Sequence, residues 1–464
     1  MEKKIRFLIL FIFIAIQAIA IELSVTDFGA VPDSVTVNTI AIQAAIDKCH
    51  QSGGGIVKVP AGVYLTGTLF LKDNVTFEVQ RAAEIRGSGN IADYPEMKRN
   101  RALIWAYKTK NASLQGDGVI NGQGGLFHVG DNAPNRPFLV LIDSCNHIRI
   151  SNLKLKNSAM WCLRLFGGED IHVTGIQIYS HSNFNNDGID IDSKDVRISD
   201  CYIDTDDDAL CFKSDRRVPC ENVVVTNCIL ASNCNLIKMG TASFGGFKNI
   251  TVQNCVLRRA SESNFRHWHK SIAGITDSIT GISGIALEIV DGGHLAQVNI
   301  SDIVMEGVQT PIFIRLGSRR NPTGSLKNVT ISNVIANNSS LIPSTISGVP
   351  GFNIENVCIR NCIFNSMGKG EFVSYDTEVP EAENKYPENR MFGSSLPAFG
   401  FYIRHAKDIE LSDIKFNLLN PDSRPALWVE NTASVEMRNL TVKGAATNNK
   451  IFYFRGKNNK KVKQ

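Results

Sequence analysis

Ten aspartates fall within the thirty-one residues from Asn185 to Asp215, and Asp206, Asp207 and Asp208 are consecutive. The chain as a whole is slightly basic, +4 over 464 residues, so this negative charge is a local concentration. Crowded carboxylates can divide into a protonated acid and an ionised base, because each negative neighbour raises the pKa of the next. They can also offer hard oxygen ligands to calcium, and Asp190, Asp192 and Asp195 are close enough in sequence to suggest it, although no recognised calcium-loop spacing is present. The plainest alternative is a set of solvated turns, and Asp200 and Asp204 read as turn residues. For Asp206 the sequence offers no role.

What decides between these readings is the element that positions the aspartates. One pattern, apolar-x-apolar-polar-Asn/Asp-apolar-x-apolar, begins at Ile148, Val196, Val223, Ile250, Val298, Val329, Val357, Ile409 and Val435, and at Ile171 with Gly175 in the turn position. Each unit reads as two short alternating strands broken by a residue that tolerates left-handed backbone. A unit of this size cannot bury its own apolar face, so neighbours must stack. No helical periodicity separates the strands, and most spacings are too short for a propeller blade of ~40–45 residues. The expected architecture is an all-β parallel β-helix of roughly a dozen coils, with rungs ~4.8 Å apart. Residues about twenty apart, such as Asp187 and Asp207, then become neighbours on adjacent rungs. Two spacings, 48 residues after Ile250 and 52 after Val357, are about double a unit.

The same spacing reads the cysteines. Cys201, Cys228 and Cys255 recur every 27 residues at one motif position, which predicts thiols stacked in the core as small hydrophobes and not a disulfide framework for the eleven cysteines. Near the start, the stretch from Asn38 to Gly55 reads as an amphipathic helix with an asparagine cap and a glycine stop, suited to cover one end of the coil. Residues 1–20 combine a basic start, an apolar run and Ala18-Ile19-Ala20, and predict a secretory signal. The mature chain would be secreted or periplasmic, a single domain over 21–454 with a basic tail over 455–464. Losing three Lys/Arg and one Glu with the signal leaves about +2, which argues against a nucleic-acid surface. No other segment is long and apolar enough for a membrane. The expectation is a monomer without cofactor or metal.

The opening "VTDFGAVPDSVTVNTIAIQAAIDKC", the following "GGGIVKVPAGVYLTGTLFLKDNVTFEV" and the acidic stretch together resemble the polygalacturonase-like glycoside hydrolases of family 28. The family motif Asn-Thr-Asp-Gly is matched by Asn185-Asn186-Asp187-Gly188, and its aspartate pair by Asp207-Asp208. The resemblance implies a right-handed parallel β-helix and an inverting hydrolase of pectic polysaccharides or oligosaccharides, with Asp207 as general acid and Asp187 and Asp208 positioning and activating water. Two departures stand out. The family's Gly-His-Gly aligns with Cys234-Asn235-Leu236, and its Arg-x-Lys, which holds a substrate carboxylate, aligns with Ala286-Leu287-Glu288.

Hydrolysis of a glycosidic bond needs an acid for the leaving oxygen and a carboxylate for water, ~6.5–9.5 Å apart in inverting enzymes, a spacing that adjacent rungs with some offset can supply. Aligning the strand after the motif puts Arg164, Asp190, Lys238, Glu288 and Arg315 at equivalent positions, a mixed ladder expected to line a sugar-binding groove with Asn185 and Lys213. An ordinary solvated face is the plain alternative. The stretch from Asn264 to Ser271 in the first long spacing, and residues 372–397 in the second, read as loops over that groove or as ordinary exposed loops; in the first reading Trp268 would stack on a sugar, and His267, His269 or His294 would stand in for the missing histidine. A calcium-dependent lyase of the same fold and a non-catalytic carbohydrate-binding coil are the competing readings.

Overall fold

The computed structural model describes residues 21–456 except 273, 276, 321, 322, 394 and 449, so the expected signal segment and residues 457–464 of the tail lie outside it. The ten motif starts lie in one continuous parallel register. Ile148 pairs with Ile171, then Val196, Val223, Ile250, Val298, Val329, Val357, Ile409 and Val435 follow in turn. Both long spacings therefore belong to single coils. Their surplus residues leave the stack and return to it, as the segments between Arg259 and Gly281 and between Ser366 and Phe401.

The polar residue five places into each motif makes the corner. Nine of the ten, from Asn152 (φ 61°) through Asp200, Asn227 and Asn254 to Asn439 (φ 52°), are Asn or Asp in left-handed backbone, which these residues tolerate better than other side chains. Gly175 takes that place in one coil, with φ 66°. The corner amides then bond down the stack: Asn227 donates to Asp200 at 3.3 Å, Asn254 to Asn227 at 2.7 Å, and Asn361 to Asn333 at 2.8 Å.

Inside, each coil buries the alternate apolar residues of its strands. The eleven cysteines are free thiols, and ten are buried. Cys201, Cys228 and Cys255 each donate to the carbonyl two residues back, at 3.1 to 3.2 Å. On later coils the Cys255 position is taken by Ile303, Val334, Cys362 and Ile414, so thiol and aliphatic side chains fill one column interchangeably.

The helix Thr39–Gln51 buries Ile42, Ala45, Ile46 and Cys49, the i, i+3, i+4, i+7 stripe of an amphipathic helix, against the first strands. Asn38 precedes it but does not cap it. Its side chain instead accepts from Val31 N at 2.7 Å and donates to Thr36 O at 2.7 Å, fastening the preceding loop. No helix among the described residues is long and apolar enough to cross a membrane.

Candidate active site

Five consecutive rungs build the floor. The register sets Arg164 beside Asp190, Asp190 beside Cys211, Cys211 beside Lys238, and Lys238 beside Ala286. Glu288 pairs with Arg315 two residues further along, beyond the rows of Lys238 and Ala286. The five-residue ladder expected from the sequence thus holds for three members and fails for Glu288 and Arg315. A slip of two residues keeps the same face of the strand, so the alternating pattern cannot reveal it.

Above these rungs lies a cavity of about 600 Å³ whose lining includes Asp187, Asp207, Asp208, Asn185, Lys213 and Lys238. All three predicted catalytic aspartates are brought together, each less than a tenth exposed. Asp208 is the most fully paired: one oxygen accepts from Asn235 Nδ2 at 2.8 Å, the other from Lys238 Nζ at 2.9 Å. Asp207 accepts from its neighbour's amide through Oδ1 at 2.9 Å and from Arg266 Nη2 through Oδ2 at 2.6 Å. Lys213 Nζ stands between Asp187 at 3.6 Å and Asp190 at 3.1 Å, resting on the Trp161 ring.

These surroundings separate the carboxyls. Burial, reinforced by Asp190 and Asp207, raises Asp187 well above the ordinary range. Burial also lifts Asp190 to about 6 against the pull of Lys213. Asp207 is equally buried, yet Arg266 and Lys238 hold it down to about 2. Of the two, Asp187 thus holds a proton the more readily, and Asp207, the acid implied by the resemblance, ionises the more readily.

The remaining predicted residues occupy supporting positions. Arg164 pairs with Asp215 at 3.1 Å and covers the Trp161 ring, forming a wall next to the cavity. Asn185 lines the rim, but its amide is engaged by Arg136 and Asn132 N at 2.8 Å and donates to Asp131 at 2.9 Å. Glu288 is buried, which raises it to about 8 against the pull of Lys238. Arg315 is fully buried, donating to Ser347 Oγ at 2.9 Å and to the Glu381 and Ala382 carbonyls at 3.0 and 3.1 Å, so it fastens a loop and does not line the cavity.

Neither His267 nor His269 lines the cavity, and His294 bonds Ser325 away from it. From that loop it is Arg266 that reaches an aspartate. Trp268 touches the cavity but is buried with Cys234, Ile272, Ile275 and Ile282, its Nε1 donating to Asn233 O at 2.9 Å, so it roots the loop and is not a free sugar platform. Asp206 gains a role in the same work. It accepts from Asn233 Nδ2 at 2.6 Å and faces His181 Nδ1 at 3.9 Å, under the base of the loop. The second excursion brings Tyr386, Pro387, Glu388 and Arg390 to the opposite wall, with Tyr386 Oη 3.3 Å from Lys238.

Among the described residues two groups could ligate a cation, Asp187 with Asp190 and Cys211, and Asp207 with Asp208 and Cys234. Both include a thiol, a poor ligand for a hard cation, and their oxygens already face Lys213, Lys238 and Arg266.

A family model described as glycosyl hydrolases family 28 matches residues 49–360. The chain belongs to glycosyl hydrolase family 28. A probable polygalacturonase of Vitis vinifera is 27% identical over 403 residues, covering 78% of this chain and 78% of that protein. The family 28 exopolygalacturonase of Yersinia enterocolitica superposes with a TM-score of 0.67 at 18% identity, over 92% of this chain and 79% of that one. An exopolygalacturonase of Thermotoga maritima gives 0.63 at 20% identity, over 83% and 91%. This family 28 chain is a polygalacturonase-like glycoside hydrolase with the parallel β-helix of its relatives. The two excursions bring Arg266 to Asp207 and Tyr386 to Lys238, and no repeat signal marks either residue.

Proposed function

We propose that this chain is an exported, monomeric, inverting hydrolase of α-linked galacturonan or a related acidic polysaccharide or oligosaccharide, on a right-handed coil covered at its start by the helix Thr39–Gln51. The observation that carries the reading is the split among three aspartates at one cavity, which provides both a proton and a paired carboxylate. Asp207 donates to the leaving oxygen; Asp187 and Asp208 orient water and take its proton. Lys213, Lys238 and Asn185 face the sugar, while Asp190 and Glu288 act through the lysines and Arg164 through Trp161.

The acidic substrate is supported by the cations at the cavity, Lys213, Lys238, Arg266, Arg319, Arg320 and Arg390, and by the polygalacturonase names of the relatives. Reducing-end release from homogalacturonan is the direct measurement. Asp207→Asn is expected to lower it by ~10³-fold or more with an unchanged melting temperature. A product with ultraviolet absorbance and a loss of activity to chelators would instead mark a lyase. Sugar binding without turnover, unaffected by Asp207→Asn, would mark a binding coil.

A further inference from the structure

Arg266 differs from the other cations at the cavity. Arg319 is bound to Asp291, Arg390 to Glu388, Lys238 to Asp208 and Tyr386, and Lys213 lies between two aspartates. Arg320 is exposed at the rim. Arg266 has five N–H donors and spends one, on Asp207 Oδ2; its guanidinium makes no other hydrogen bond among the described residues. It lines the cavity and is 21% exposed, against 11% for the Asp207 side chain it covers.

Its backbone, in contrast, is tied down on both sides. Ser261 N donates to Asp204 at 3.0 Å, Asn264 Nδ2 to His181 O at 2.9 Å, and Arg266 N to Ser263 Oγ at 3.1 Å. On the far side Trp268 donates to Asn233 O at 2.9 Å. A fixed stem carrying a fork with spare donors is suited to exchanging one carboxylate for another.

We propose that Arg266 is a specificity-determining residue that guards the acid: a sugar carboxylate entering the cavity takes its guanidinium from Asp207, which is then free to take up a proton and donate it to the leaving oxygen. The inference rests on the acidic substrate proposed above. The proton count closes through solvent: Asp207 gains one proton from water once Arg266 leaves it and gives that proton up as the glycosidic C–O bond breaks, and the proton that the attacking water leaves behind returns to solvent with the product. Water adds its hydroxyl to the anomeric carbon and its proton to the Asp187–Asp208 side. When product leaves, ionised Asp207 recovers Arg266. The same guanidinium that keeps Asp207 ionised in the free protein thus withholds the acid from neutral sugars.

The test compares charge selectivity in the wild type, Arg266→Gln and Arg266→Lys. Wild type is expected to hydrolyse de-esterified oligogalacturonides far better than their methyl esters, and Arg266→Gln to shrink that kcat/KM ratio about 100-fold, with Arg266→Lys restoring part of it. Equal losses on both substrates would assign Arg266 to loop structure and overturn the proposal, as would an unchanged ratio. Binding of D-galacturonate and of its methyl ester, by calorimetry, reads the same ratio without turnover. Selective loss of galacturonate binding in Arg266→Gln supports the guard. Failure of the wild type to bind either sugar would remove the acidic-substrate reading and the guard together, whereas galacturonate binding indifferent to Arg266 would remove the guard alone.

Discussion

Asp200 and Asp206 are six residues apart in the same acidic stretch, yet they belong to different kinds of structure. Asp200 is an exposed corner, left-handed at φ 59°, receiving one amide from the identical corner of the next coil. Asp206 is 1% exposed and serves unlike partners, Asn233 and His181, under a loop that only one coil carries. Corners repeat because every coil needs the same turn. The site does not repeat, because its chemistry needs different charges on adjacent rungs and arms reaching over them from outside the stack.

Replacing each residue by alanine should separate the two kinds most sharply. Asp206→Ala leaves a buried histidine without one of its two carboxylates, and is expected to cost about 3 kcal/mol and to lower kcat/KM at least tenfold as Arg266 loses its footing. Asp200→Ala should cost about 1 kcal/mol or less with activity retained. Denaturant melts with kinetics on both variants check the pair. Comparable losses at the two positions would break the distinction.

Acidity should distinguish the regions next. Burial lifts Glu288 to about 8 and Asp190 and Asp192 to about 6, while His181, charged with difficulty when buried, is carried to about 9 by Asp204 and Asp206. All four groups bind protons more tightly folded than unfolded, so the stability they contribute grows as pH falls from about 9 towards 5. Asp207, held at about 2, works in the opposite sense: its contribution is lost only as pH falls from about 4 towards 2. Melting temperature against pH should show the rise, and Glu288→Gln should flatten it between about 4.5 and 8 while leaving the ladder untouched.

The smallest effect is expected in the thiol column. Cys255→Val places there the side chain that Val334 already supplies two coils on, and should shift stability by less than about 1 kcal/mol. Reductants should leave the melting temperature unchanged, since the cysteines are free.

This contrast also explains what could be read from the sequence. The ten motif starts and their corners were legible because each coil imposes the same burial and the same left-handed turn on its residues. The three aspartates at the cavity were legible through the spacing of one coil and the family motif. Earlier rungs were not, although Leu23, Val57, Phe77 and Leu114 pair in the same manner, because their corners lack a uniform Asn/Asp signal. Arg266, Arg136 and Tyr386 escaped because loop side chains reach the site across 59, 49 and 148 residues of chain and leave no periodic trace. Glu288 and Arg315 were misplaced by a two-residue slip that alternation cannot detect. Of that loop's charged side chains, Arg266 lines the cavity and the histidines beside it do not, a difference that residue type alone does not reveal.

The strap from the second excursion has a consequence for when the protein becomes competent. Tyr386 closes on Lys238, 148 residues earlier, and Arg315 is tied to the Glu381 carbonyl on the way. A chain made from its N-terminus has all three aspartates and Lys238 long before it has the wall that faces them. Its hydrolytic machinery is assembled early and roofed late, so a nascent or prematurely terminated chain would carry the reactive carboxylates without the enclosure that gives them a substrate.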